Sequence, residues 1–376
     1  MIPYARQDIS DADMAAVVQV LQSDFLAQGP QIPLFEQAVA GRVGVAHALA
    51  VNSATSALHI ACLALGVGPG DVVWTTPITF VASANCALYC GADVDFVDID
   101  PRTLNMSIAA LEQKLATAER LPKVVIPVHF TGEPCDMAAI GALAKRYGFA
   151  VIEDAAHAIG ALADGVPVGA CTHSDVTIFS FHPVKIITTG EGGMALTNRA
   201  DLADRMALLR SHGITREPSR MSGPSDGGWY YQQVDLGLNY RMTELEAALG
   251  VSQLGRMDDF IDRRHALADR YDDLLADFDV VTPFRDPGHR PALHLYVLRV
   301  KNRAAVFDRM RDRGIGVNVH YIPVHTQPYY QARGFAQGDF PQAENYYAEA
   351  LSLPMYPLLS DADQDRVVAA LGECLA

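Results

Sequence analysis

The stretch SFHPVKIITTGEGG, residues 180–193, sets a lysine between an apolar run and a glycine turn. The chain has five lysines, at 114, 123, 145, 185 and 301, and only Lys185 follows a run as apolar as TIFSF. An amine at the end of a buried strand loses hydration. That disfavours its charged form and makes it a base and nucleophile closer to neutral pH. The bland alternative is a lysine whose long stem carries its charge out to water.

Outward from this stretch, apolar β-branched runs alternate with helical patterns. HALAV, VVWTTPITF, VDFVDIDP, KVVIPVHF, FAVIED and SDVTIFSFHP read as strands. Between them lie helix-like segments such as NSATSALHIACLA and DMAAIGALAKRYG, the latter closed by Gly148. Such alternation predicts an α/β fold with a mostly parallel sheet covered on both faces. Upstream, Ser10 with Asp13 predicts a capped helix, and LFEQAVAGRVG a second one ending at Gly44. Residues 213–228 are rich in Gly, Pro and Ser and predict a long loop, a lid or binding loop rather than a plain excursion. MTELEAALGVSQLGRMDDFIDRRHALADRYDDLLADF has long helical periodicity. Strand HLYVLRV, helix RAAVFDRMRDRG, strand IGVNVHYIP and a helix after Ser360 then compose a small α/β unit. The expected division is a large unit over 1–250 and a small one over 251–376, with a long connecting helix between them.

The formal net charge is −15, which argues against wrapping a nucleic-acid backbone but not against an anionic small substrate in a local basic pocket. Six cysteines, with no C-x-x-C pair, predict reduced thiols. No apolar run approaches the about 18 residues of a membrane span, and the start, MIPYARQDIS, has no secretory pattern. A cytoplasmic protein is expected. His320 and His325 are spaced five apart with no third ligand nearby, so no metal site is expected.

Strand ends of a parallel sheet gather at one edge, where ligands bind. Asp154 and His157 follow FAVIE, Ser180 and Lys185 follow VTIF, and the NSAT turn follows HALAV. Taken singly, Asp154 reads as a helix cap, His157 as a core histidine and NSAT as an N-cap. Taken together they suit pyridoxal 5′-phosphate. Lys185 would form the Schiff base, and Asp154 would keep the ring nitrogen protonated. Ala54, Thr55 and Ser180 would receive the phosphate at a helix N-terminus, and Phe80 would cover the ring.

These residues lie in NSATSAL, TTPITFVASAN, EDAAHAIGA, FSFHPVKIITTGEGG, RSHGI and LGLNYRMTELEAALGVSQL. In these motifs the chain resembles the DegT/DnrJ/StrS sugar aminotransferases, nearly end to end. The resemblance implies the type I fold of PLP-dependent transferases, with a seven-stranded, mostly parallel sheet. It implies that Lys185 carries the cofactor, Asp154 partners its ring nitrogen and His157 lies near its 3-oxygen. It also implies a homodimer with shared active sites, in which Asn239 reaches the neighbouring subunit's phosphate. The family's usual glycine in the first turn is replaced here by Ala54. Lys185 itself separates the chain from the related sugar dehydratases, which carry histidine there.

HLYVLRV, VHYIPVHTQPYY and ENYYAEALSLPMYP further resemble one branch, the UDP-sugar 4-aminotransferases of pseudaminic acid synthesis. That implies L-glutamate as donor and a UDP-4-keto-6-deoxy amino sugar as acceptor, in a step feeding surface glycans such as those of flagellin. It also implies substrate contacts from Tyr4, from Asp24, Phe25, Leu26 and Ala27, and from His320, Tyr321, Ile322 and Pro323. Other nucleotide-sugar aminotransferases, serving GDP-perosamine or dTDP-amino sugars, stay open, as does a non-catalytic regulatory homologue.

Overall fold

The computed structural model describes residues 1–375. Its centre is a seven-stranded sheet: β1 (His47–Val51), β2 (Val72–Thr75), β3 (Asp93–Phe96), β4 (Val124–Ile126), β5 (Ala150–Asp154), β6 (Val176–Ser180) and β7 (Gly193–Thr197), in the order β1-β7-β6-β5-β4-β2-β3. Only β7 runs against the rest, antiparallel to both β1 and β6. The reason is in the quoted stretch. Residues 181–192 form turns and no helix, so the chain cannot make the crossover that a parallel return requires. Six strands therefore point the same way, and their C-terminal ends share one edge. β7 begins at that edge.

Both faces of the sheet are covered. On one lie α3 (Ala54–Ala64) and α4 (Ala82–Tyr89), with Leu58 and Ile60 of α3 clustered with Ile126 and Ile178 of the sheet. On the other, residues of α2 (Gln31–Val43), α5 (Glu244–Leu254) and α6 (Met257–Leu274) cluster with Phe179, Met194 and Leu196. The strands are buried on both sides, which is why they read as apolar runs without alternation. The capping box of α1 (Asp11–Leu21) is present, with Ser10 and Asp13 in its two roles, and Gly44 closes α2 in the left-handed conformation.

A second core surrounds the antiparallel pair β8 (Tyr296–Arg299) and β9 (Ala350–Leu353), with Leu267, Met310, Val367 and Leu371. Ile2 belongs to this core: its N–H donates to the Gly314 carbonyl at 2.8 Å and its own carbonyl accepts from Gly316 at 2.7 Å. The N-terminus thus packs with residues more than 300 positions away, although the chain then leaves to build the large sheet.

Two local expectations differ from the structure. The long helical pattern breaks between Leu254 and Met257, where Gly255 and Arg256 separate two helices. Residues 315–323 form no continuous strand; Ile315 bridges to Ile2 and Asn318 to Ser352, and beyond them Pro323 has no N–H to offer a ladder. The expected long loop is present, with one short turn at Pro218–Arg220, and is closed by the pairing of Ile214–Thr215 with Gln232–Gln233. Among the described residues no helix is long and apolar enough to cross a membrane, and no cluster of His, Cys, Asp and Glu suits a metal. All six cysteines are buried and free.

Candidate active site

The shared strand edge brings Lys185, Asp154, His157 and Ser180 together. Asp154 ends β5 and is buried. One carboxylate oxygen, Oδ2, accepts from the Ser83 hydroxyl at 2.5 Å, and the other accepts from the Ala156 N–H at 3.1 Å. Lys185 follows β6 in the turn after Pro183, its N–H donating to the His182 carbonyl at 2.9 Å. It keeps a partly open face, yet protein surrounds its amine closely. Burial pushes the ammonium down from 10.5 to about 8, against the opposing pull of the Asp154 charge.

Around this pair stand three histidines. His157 shares a 3.1 Å hydrogen bond between Nε2 and the Tyr321 hydroxyl, and its ring stacks on Tyr321. His294 lies 4.4 Å from His157, ring to ring. His320 bonds Ser352 through Nδ1 at 2.7 Å and faces Tyr4 at 5.5 Å. Burial holds His157 and His294 well below the ordinary imidazole value and His320 down to about 3, with the positive charge of Lys185 adding to each. All three are therefore neutral near pH 7. Among the described residues, Nδ1 of His157 and Nδ1 of His294 are buried with no hydrogen-bond partner. Unpaired buried nitrogens at the floor of a cleft are costly, and a ligand that bonds one of them recovers that cost.

The turn after β1 completes the edge. Ser53 caps α3 by accepting from the Ser56 N–H at 3.1 Å. The first N–H groups of the helix, at Ala54 and Thr55, have no partner within the helix itself. Ala54 opens the helix and is not among the residues with left-handed backbone, so its methyl group is accommodated where the family's usual turn has glycine. The close approach that forbids a side chain lies across from it: a Cβ on Gly193 would collide with the Ala54 nitrogen and the Ser53 carbonyl. The helix N-terminus and Ser180, which pairs with Gly193, thus stand side by side at the same edge, where free N–H groups and a hydroxyl suit an anion.

The other expected contacts fall in three places. Phe80 is exposed, 6.3 Å from the Tyr321 ring, above the cleft. Tyr4, half-buried and bonded by Asn318, and Tyr321 border the histidines, while Ile322 is exposed and Pro323 buried just beyond. Asp24, Phe25, Leu26 and Ala27 are exposed beside the start of α5, where the Leu26 carbonyl accepts from the Glu244 N–H. Among the described residues no hydrogen bond joins that segment to Lys185 or Asp154. It adjoins a cleft of about 230 Å³ whose lining includes Gln28, Arg210 and Arg241. Asn239 is also exposed, bridged to Ser211, and makes no hydrogen bond to the Lys185 cleft of its own chain among the described residues. Two residues of the site carry no signal in the sequence pattern, Ser83 and His294. Both reach it through contacts distant in the chain.

Residues 7–372 match the DegT/DnrJ/EryC1/StrS aminotransferase family. The chain belongs to that family. The spore coat polysaccharide biosynthesis protein SpsC of Bacillus subtilis is 42% identical, over 98% of this chain and 96% of its own length. Among solved structures, Helicobacter pylori PseC, an aminotransferase involved in the biosynthesis of pseudoaminic acid, superposes with a TM-score of 0.91 at 29% identity, covering 100% of this chain and 99% of PseC. The PMP-form of the putative sugar aminotransferase Spr1654 from Streptococcus pneumoniae superposes at 0.92 with 30% identity, covering 100% of this chain and 99% of that one. As a DegT-family member the chain is a PLP-dependent sugar aminotransferase, which takes a sugar-linked keto substrate and an amino donor. The residues fit that cofactor: a desolvated amine, a buried carboxylate, a helix N-terminus and an unpaired imidazole nitrogen gather at one strand edge.

The amine can be tested without cofactor. In the apo-protein, modification of Lys185 by a small amine-specific reagent, followed by peptide mass spectrometry, is expected to accelerate with pH and level off near pH 8. A fully hydrated lysine side chain in a reference peptide is expected to keep accelerating toward about pH 10. A Lys185 that reacts in step with that peptide would show that its ammonium is not desolvated.

Proposed function

We propose that this enzyme transfers the amino group of L-glutamate to the C4 ketone of a UDP-linked 2-acetamido-2,6-dideoxy-4-ulose. The product is then UDP-4-amino-4,6-dideoxy-N-acetyl-β-L-altrosamine, a precursor of pseudaminic acid. The carrying observation is the end-to-end superposition on PseC. The wall of neutral histidines and tyrosines beside Lys185 supports the reading, since uncharged donors and acceptors suit sugar hydroxyls and an acetamido group.

In this reading bound pyridoxal phosphate supplies an electron sink that weakens the C–H bond beside the reacting amine. Lys185 would hold it covalently, and its free amine would move a proton as general base and then acid; its value of about 8 puts both forms within reach near neutral pH. Asp154 would hold a proton on the ring nitrogen. Neutral His157 would offer Nδ1 to the ring substituents while Tyr321 fixes the other nitrogen of the histidine. Ala54, Thr55 and Ser180 would hold the phosphate, and Phe80 would cover the ring. Tyr4, His320, Tyr321, Ile322 and Pro323 seat the sugar, and residues 24–27 meet the nucleotide beside Arg210 and Arg241. Asn239, exposed on a hairpin that also exposes Trp229 and Leu236, reaches the phosphate of a second copy, so the active unit is a homodimer with shared sites.

A second reading keeps the chemistry and changes the sugar. It is favoured by SpsC, whose stated role is in spore coat polysaccharide biosynthesis, at the higher identity of 42%. The deciding experiment incubates the holoenzyme and glutamate with the UDP-4-keto sugar, its D-configured epimer, and GDP- and dTDP-4-keto-6-deoxy sugars, with products identified by NMR. The expected result is selective amination of the UDP-linked L-configured ketone. Preference for a GDP or dTDP sugar would discard the pseudaminic reading and leave the aminotransferase intact.

A further inference from the structure

Ser83 is the second residue of α4 and is fully buried. A serine hydroxyl has one proton, and an ionised carboxylate only accepts. The 2.5 Å contact with Asp154 Oδ2 therefore fixes the direction of the Ser83 proton. That in turn fixes the next contact: Thr79 Oγ1 lies 2.8 Å from Ser83 Oγ and must be the donor. Thr79, too, is buried. The result is a one-way chain, Thr79 to Ser83 to Asp154, ending in a distance typical of charge-assisted hydrogen bonds. The Ala156 N–H holds the second oxygen.

We infer that Ser83, oriented by Thr79, is the positioning residue that keeps Asp154 ionised and aimed at the cofactor's ring nitrogen. The inference rests on the reading of Asp154 as that nitrogen's partner. A hydrogen bond to the charged form of an acid favours that form. Without the Ser83 hydroxyl, the carboxylate becomes the stronger base and draws the shared proton away from the ring. Held at both oxygens, by Ser83 and by the Ala156 N–H, the carboxylate plane is fixed.

The test measures ring protonation by nitrogen NMR of the holoenzyme loaded with ring-labelled pyridoxal phosphate, alongside the rate of the half-reaction with glutamate. In Ser83→Ala the ring signal is expected to move toward the unprotonated value, and the half-reaction to slow by about 10- to 100-fold, as for loss of a hydrogen bond to a charged group. Thr79→Val keeps shape and Ser83 itself, and is expected to move the signal in the same sense by less. Ser83→Thr, which retains the hydroxyl, is expected to restore the wild-type signal. A role in helix packing alone would lower thermal stability and leave the ring signal in place. Wild-type signal and rate in loaded Ser83→Ala overturn the proposal; if that variant does not fold, a wild-type signal in Thr79→Val overturns it. Asp154→Asn separates the two readings: an unchanged ring signal there means the fault lies with Asp154 and not with Ser83.

Discussion

Lys185→Ala is expected to abolish turnover together with the visible absorption of the bound cofactor. Loss of general acid–base transfer alone removes about 10²–10⁴-fold in rate, and loss of the covalent attachment adds to it. No other lysine can substitute, because Lys114, Lys123 and Lys301 are engaged by Asp95, Asp71 and Asp279, and Lys145 lies in the last turn of the helix Met137–Tyr147, away from this strand edge. Folding should survive the substitution. The folded-state value of Lys185 lies below its ordinary one, so between about pH 8 and pH 10.5 the native protein binds fewer protons than the unfolded chain. The buried ammonium therefore costs stability below pH 8, and the cost fades as pH rises through that window. Apo Lys185→Ala is expected to melt at or above the wild-type temperature at pH 7, with the difference shrinking toward pH 10. Spectra and glutamate turnover of the purified variant check the first expectation, and apo-protein melting curves at the two pH values check the second. Retained turnover would mean that the amine is not the one that binds and moves the proton.

Lys185, Asp154 and the NSAT turn were legible because each sits at the end of its own apolar run, where strand direction alone decides which edge it joins. Ser83 and His294 were not. Ser83 stands in TTPITFVASAN, where a small polar residue near a helix start reads as part of the start. Its partner is 71 positions away and is supplied by the crossover from β2 to β5. His294 opens HLYVLRV and reads as the first residue of a strand. It meets His157 because the Thr131–Gly132 turn hydrogen-bonds Leu295 and Ala292, and because Arg264 holds the 293–294 carbonyls from α6. β7 escaped the reading of periodicity for a different reason. GMALT is buried at every position and so shows no alternation, and its direction follows from what the preceding loop lacks. Local chemistry is written in short windows; a site assembled by docking two cores is not.

The second large effect is expected at Asp154. Asp154→Asn preserves volume; its amide oxygen can accept from the Ala156 N–H while its NH2 donates to Ser83, whose own proton can turn to the Phe80 carbonyl at 3.3 Å, so the buried packing at the end of β5 is kept. Lys185 and the Ser53–Thr55 turn are untouched, and the cofactor is expected to remain bound. What changes is charge. A neutral amide cannot hold a proton on a pyridine nitrogen, and a ring without that proton withdraws electrons far less strongly when the C–H bond breaks. Removing one preorganised electrostatic stabiliser of developing charge typically lowers rate by about 10²–10³-fold, and that is the fall expected in the single-turnover rate with glutamate. Affinity for glutamate should change little, because the loss falls on the proton transfer and not on binding. Rapid-mixing absorbance with excess glutamate measures both quantities. A near-normal rate would mean that Asp154 is a structural cap at the end of its strand, and the carboxylate serving the ring would have to be sought elsewhere along the same edge.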